Sequence, residues 1–255
     1  MSFEACAALV EKADPLRFRA AMAAPVPARR VLFPLYAFNV EVARAPWVTQ
    51  EAMIAEMRLQ WWRDALEELG KGGAVRRHEV VDALADVLDA EGAACLDGLV
   101  AARRWDVYKD GFEDAAHFES YIDATSGNLM WTAARLAGDA DQGVVRDFAY
   151  GVGVANILQA TPALEAQSRK PLVDGTPEGV AALAADALKR LDAAAKGRKV
   201  VSSDAGAALI AGYHARPILK AAIRDPRLVA ADALDFNPAR DSLRFANVSL
   251  RGWWR

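Results

Sequence analysis

Two apolar stretches carry the polar side chains best placed for chemistry. Asn39 and Glu41 lie inside "LYAFNVEVARAPW" (residues 35–47), and Asn156, Gln159 and Thr161 inside "FAYGVGVANILQAT" (residues 148–161). Neither stretch has a continuous polar stripe, and a helix apolar on all sides belongs at the centre of a large bundle. Polar groups there must find partners or line a cavity. Two outcomes stand open: a central cavity walled by these groups, or buried hydrogen bonds that tie helices together. Gly151 and Gly153 would let a neighbouring helix or a ligand approach closely.

Other chemistries find little support. His78, His117 and His214 are far apart in polar or helix-end contexts, and none forms a ligand pair such as HExxH. "GVGVAN" lies inside a helical pattern without the preceding strand of a dinucleotide fold, and serine elbows and phosphate loops are absent. A helical bundle could still hold metal through inward carboxylates at i and i+4. The two most apolar stretches do not supply them, so neither a metal nor a cofactor is expected.

The elements that position these residues read as helical throughout. Apolar residues recur at spacings of three and four, and alternating β-branched runs are scarce. Helices are expected near 3–12, 15–23, 27–45, 49–70, 76–88, 91–109, 114–137, 141–161, 177–197, 203–223 and 238–250. Thr49 reads as an N-cap and the glycine pair at 72–73 as a stop. Pro162, Pro171 and Pro177 mark a connection, with 163–178 as its irregular part. The adjacent Trp61 and Trp62 diverge by about 100° on a helix, so one packs inward and the other toward a neighbour. With no repeat and no low-complexity linker, residues 1–255 read as one all-α helical domain.

The chain has 255 residues, 53% of them hydrophobic, and a formal net charge of −3. That length suffices for a large core, and the charge offers no case for nucleic acid. Cys6 and Cys95 imply neither a disulfide framework nor a metal spacing. The first residues lack the features of a secretory or organellar leader. No stretch approaches the roughly 18 apolar residues of a membrane span. A cytoplasmic protein is expected, with peripheral contact at the inner membrane as an extension.

"RFRAAMAAPVPARRVLFPLYAFNVEVAR", "MRLQWWRDAL", "YIDATSGNLMWTAARLAG" and "GVGVANILQATPALEAQSRKPL" resemble, in order and spacing, the squalene/phytoene synthase family. The resemblance implies an all-helical isoprenoid synthase fold around a central cavity. In that family two aspartate motifs hold Mg²⁺ ions, which bind and ionise prenyl diphosphates. The first motif, Asp-Asp-x-x-Asp, falls without gaps on Ala43, Arg44 and Trp47. In the second, Asn156, Ile157 and Leu158 match, but the aspartate positions are Ala160 and Leu164. Glu41 does not substitute, because it precedes position 43 by two residues and points roughly 200° away. Glu165 lies beyond Pro162, and the charge of Arg44 would repel Mg²⁺. By position, Tyr121, Asp123 and Asn128 match a third stretch of the family. Arg169 aligns with a basic residue that in the family helps to hold diphosphate, and Lys170 adjoins it; together they could grip an anion weakly.

A narrower resemblance, in "AFNVE", "MRLQWW" and "ATP…SRK", is to the branch that contains the mitochondrial respiratory complex I assembly factor. That branch keeps the fold and lacks the aspartate motifs. The resemblance implies a catalytically silent protein that assists assembly of a membrane complex such as the respiratory NADH dehydrogenase, with a complex subunit as partner. Its cavity would hold an isoprenoid, another lipid or a quinone-like tail, or be packed shut. The alternatives are a prenyltransferase with an atypical site and an isoprenoid-binding protein. The tail "NPARDSLRFANVSLRGWWR" allows weak membrane contact through Trp253 and Trp254, or it packs on the bundle and covers the core.

Overall fold

The computed structural model describes residues 2–49, 51–234 and 237–255. Its elements are α1 (Ser2–Ala13), α2 (Pro15–Ala23), α3 (Val26–Arg44), α4 (Ala52–Lys71), α5 (Glu79–Ala85), α6 (Ala90–Arg103) and α7 (Ala115–Ile122). There follow α8 (Asn128–Ala137), α9 (Gln142–Ala166), α10 (Pro177–Lys196), α11 (Ser203–Leu209), α12 (Ala215–Arg224), α13 (Arg227–Ala230) and α14 (Pro238–Arg251). Among the described residues the one β-type pairing is an isolated bridge between Ala140 and Val201. The all-α architecture expected from the periodicity and the motifs is the one observed.

The apolar stretches form the two central helices. In α3, Leu32, Phe33, Leu35, Phe38 and Val42 are buried, and in α9 Val145, Val154, Ala155 and Leu158 are. Buried side chains from Cys6 to Trp253 join into a single hydrophobic cluster. Gly151 brings α9 against α10: a Cβ there would lie 2.4 Å from Leu191 Cγ and 3.1 Å from the Ala187 carbonyl oxygen. Gly153 does the same toward α7 and the turn after it, where a Cβ would lie 2.7 Å from Ile122 and 2.9 Å from Ser126. Both glycines therefore serve helix approach, and Gly153 also borders a cavity. Trp62 is buried edge-on against Phe38, while Trp61 sits half-buried beside His78 and under Arg76.

Several boundaries differ from the sequence expectation. Thr49 does not cap α4: its hydroxyl accepts the Glu51 N–H in a local turn and the helix begins at Ala52, while Gln50 lies outside the described residues. Gly72 does stop α4, in the left-handed conformation (φ 66°). Helix α9 runs through Pro162 to Ala166, with Thr161 Oγ1 donating to the Ile157 carbonyl at 2.8 Å. The expected helix over 114–137 contains a π-helical turn at Asp123–Gly127. The one over 203–223 breaks at a 3₁₀ turn, Ile210–Gly212, where Gly212 lies against Val152 and Phe148.

The tail covers the core rather than presenting its aromatic residues outward. Trp253 is 4% exposed, packs edge-on against Phe148 with centroids 4.9 Å apart, and fills the space over Gly206. Trp254 is half-buried with Arg198 above its ring. Leu243 and Leu250 stay exposed on α14. Among the described residues no helix is long and apolar enough to cross a membrane.

Candidate functional site

A cavity opens between α3, the π-helical turn, α9 and the segment leading into α12. It has two adjoining lobes of about 530 and 250 Å³, with Arg17, Asn39, Ala43, Trp47, Arg103 and Asn156 among the residues common to both walls. Tyr36, Asn39, Ala43 and Trp47 reach it from successive turns of α3 and the 3₁₀ turn that follows, Ala45–Trp47. Asn156, Ile157, Ala160 and Leu164 do so from α9. Leu16 and Trp47, each 39% exposed, flank its opening.

Of the residues singled out from sequence, Asn39, Tyr121, Asn156 and Arg169 stand on the cavity wall. The others do not. Glu41 turns to the flank of α3, where it pairs with Arg44 at 3.2 Å, as its position around the helix requires. Asp123 pairs with Arg146 at 2.7 Å, and Asn128 accepts from Arg146 and donates to the Cys95 carbonyl. Both face α9 from the ends of the π-helical turn and tie it down. Thr161 spends its hydroxyl on its own helix. Gln159 is half-buried off the wall, one residue and thus about 100° from Ala160. Lys170 is exposed.

The cavity also gathers groups that the sequence reading passed over. Arg103 Nη1 donates to Asp106 Oδ2 (2.9 Å) and to the Tyr121 hydroxyl (2.8 Å), which in turn donates to Asp106 Oδ1 (2.7 Å). Burial holds the Tyr121 hydroxyl far above the usual phenol range, so it stays protonated. Burial works against the Arg103 charge, but Tyr121 and Asp106 more than offset it, and the guanidinium remains cationic. Arg17 pairs with the α2 cap Asp14 at 2.6 Å and lies over the Tyr36 ring. His214 Nε2 sits 2.9 Å from Asn156 Oδ1, and burial with Arg17 nearby pushes its pKa down to about 4. At neutral pH it is an uncharged imidazole. The available signals are slight: His214, expected in a polar or helix-end context, is 4% exposed in the mainly apolar run "IAGYHARPI", and Arg–Asp pairs stand at spacing three beside helix ends.

This wall does not suit divalent metal. Mg²⁺ takes hard oxygen ligands, chiefly carboxylates and water. The faces that meet across the cavity present Ala43 and Trp47 on one side and Ala160 and Leu164 on the other. Asp14 and Asp106 are each engaged by an arginine. Among the described residues no three His, Cys, Asp or Glu side chains converge as a metal site. What the arrangement offers is a largely apolar cavity with uncharged amide, hydroxyl and imidazole groups and several arginines, most of them paired with acids.

The squalene/phytoene synthase family model matches residues 10–174. Among curated proteins, the chain is 29% identical over 167 residues to the Drosophila melanogaster NADH dehydrogenase (ubiquinone) complex I, assembly factor 6 homolog, covering 62% of this chain and 50% of that protein. To Homo sapiens complex I assembly factor 6 it is 24% identical over 174 residues, covering 62% and 48%. The chain thus spans about half the length of the curated relatives it matches. A solved dehydrosqualene synthase in complex with ligand superposes with a TM-score of 0.79 at 15% identity, covering 98% of this chain and 95% of that one. Squalene synthase HpnC from Alicyclobacillus acidocaldarius gives 0.74 at 17% identity, covering 88% and 93%. With the family match extending over most of the chain and the same architecture around its cavity, this protein belongs to the squalene/phytoene synthase family.

Proposed function

We propose that this protein keeps the isoprenoid synthase frame without metal-dependent prenyl transfer and serves as an assembly factor for a respiratory complex of the NADH dehydrogenase type. One observation carries the reading: the positions where the family's aspartates fall are Ala43, Arg44, Trp47, Ala160 and Leu164, and the cavity wall holds no unpaired carboxylate to replace them. The likeness to complex I assembly factors supports the assembly role. Its partner is then a subunit or intermediate of that complex, met at the membrane surface by peripheral contact. The cavity supports an accompanying role, holding an isoprenoid or other lipid without transforming it.

Two measurements test this together. Deleting the gene in its native host is expected to reduce assembled NADH dehydrogenase on native gels and NADH oxidation by isolated membranes, with recovery on complementation. The purified protein is expected to leave farnesyl and geranylgeranyl diphosphate unchanged with Mg²⁺ present. Normal complex levels in the deletion strain, or turnover of either diphosphate, would overturn the proposal.

A further inference from the structure

We propose that the cavity takes an uncharged amphiphile, a long apolar chain ending in a single hydroxyl or carbonyl oxygen, and discriminates against diphosphorylated chains. The inference rests on the reading that the cavity holds no metal site, and it adds the class of ligand.

Asn39 carries the argument. Its side chain is 7% exposed, lies on the wall of both lobes and has no protein hydrogen-bond partner among the described residues. The residue is almost fully buried, but its amide atoms stay open to the cavity, where a ligand can meet them. A carboxamide both donates and accepts without charge, which matches a hydroxyl or a carbonyl. Across the cavity, Asn156 and the neutral His214 form a second uncharged polar pair.

Three of the wall's arginines are paired with acids, and the fourth is held by a carbonyl and a ring. Arg17 is held by Asp14, Arg103 by Asp106 and Tyr121, and Arg44 by Glu41. Arg169 donates to the Tyr108 carbonyl at 2.9 Å and lies 4.3 Å from the centre of the Trp47 ring. A diphosphate entering here would compete with acids for Arg17, Arg44 and Arg103. Among the described residues it would find Arg169 as the one wall arginine without an acidic partner, and it would meet no carboxylate set to bring metal with it. An uncharged head breaks none of these pairs. Ala43, Leu129, Val152 and Ala160 offer walls for the chain, and the volumes fall in the ordinary range for small-molecule sites.

The test is calorimetric titration of the full chain with four probes. These are farnesol, a benzoquinone bearing a short prenyl tail, the hydrocarbon farnesene, and farnesyl diphosphate with and without Mg²⁺. Farnesol or the quinone should bind at least tenfold more tightly than the diphosphate under either condition, and which of the two binds better identifies the head as hydroxyl or carbonyl. Asn39→Leu should weaken the oxygen-headed ligand about three- to tenfold while leaving farnesene unchanged. Should that variant fold poorly, Ala160→Phe, which narrows the smaller lobe, should weaken farnesol and farnesene alike. Mg²⁺-dependent binding of the diphosphate at equal or higher affinity would overturn both the ligand class and the metal-free reading. Binding by none of the probes, or equal loss of farnesol and farnesene in a well-folded Asn39→Leu protein, would overturn the ligand class alone.

Discussion

His214 Nε2 lies 2.9 Å from Asn156 Oδ1, linking the segment before α12 to the middle of α9 across the cavity wall. Burial, with the Arg17 charge adding to it and Asp14 and Asp241 opposing, pushes the imidazole pKa from 6.5 down to about 4. Between those values the unfolded chain takes up a proton that the folded chain refuses. Stability contributed by the neutral ring is therefore complete above pH 6.5 and falls as pH drops toward 4, by about 3 kcal/mol in all. Thermal melts at pH 7 and pH 4.5 should show a larger loss for the wild type than for His214→Gln. An equal loss in both would remove His214 as the source.

The Arg103–Asp106–Tyr121 triangle should behave as a unit. Asp106→Ala strands a guanidinium and a phenol together and is expected to cost about 3 kcal/mol. Tyr121→Phe, which leaves the ion pair in place, should cost about 1 kcal/mol. Urea unfolding of the two single variants and the double would show coupling well short of additivity. Full additivity would mean that the hydroxyl and the ion pair act independently.

At the crossing of α9 and α10, Gly151→Ala must push the Leu191 side chain, whose Cγ would be 2.4 Å away. We expect a loss of about 1–3 kcal/mol by overpacking. Gly175→Ala meets nothing within 4 Å and should stay within about 0.5 kcal/mol of the wild type. Matching melting temperatures for the two variants would show that the crossing relaxes freely.

Trp253 is part of the core, so Trp253→Ala should destabilise by about 3–5 kcal/mol, and a chain lacking residues 252–255 should melt well below the full protein. An unchanged melting temperature in both would place the ring at the surface and return the tail to the role of membrane contact.

The helical class, the centrality of α3 and α9, and the family were legible in the sequence because they rest on local periodicity and on contiguous motifs such as "YAFNV" and "NILQ". So was the replacement of the family's aspartates by Ala43, Arg44, Trp47, Ala160 and Leu164, which needs only alignment to a motif. Tertiary structure decided which polar residues share a space. Asn39 and Asn156 face the cavity while Glu41 and Gln159, two and three positions further on, do not, because helix rotation and the neighbours available at each angle settle the matter. Arg17, Arg103 and His214 reach the same wall from α2, α6 and the break before α12, and no local pattern ties residues so far apart in the chain. Trp253 shows the same limit. Composition marks an aromatic tail as suited to a membrane interface, but the space left over Gly206 beside Phe148 draws it into the core, since burying a large ring there removes more apolar surface from water than leaving it at the chain's end.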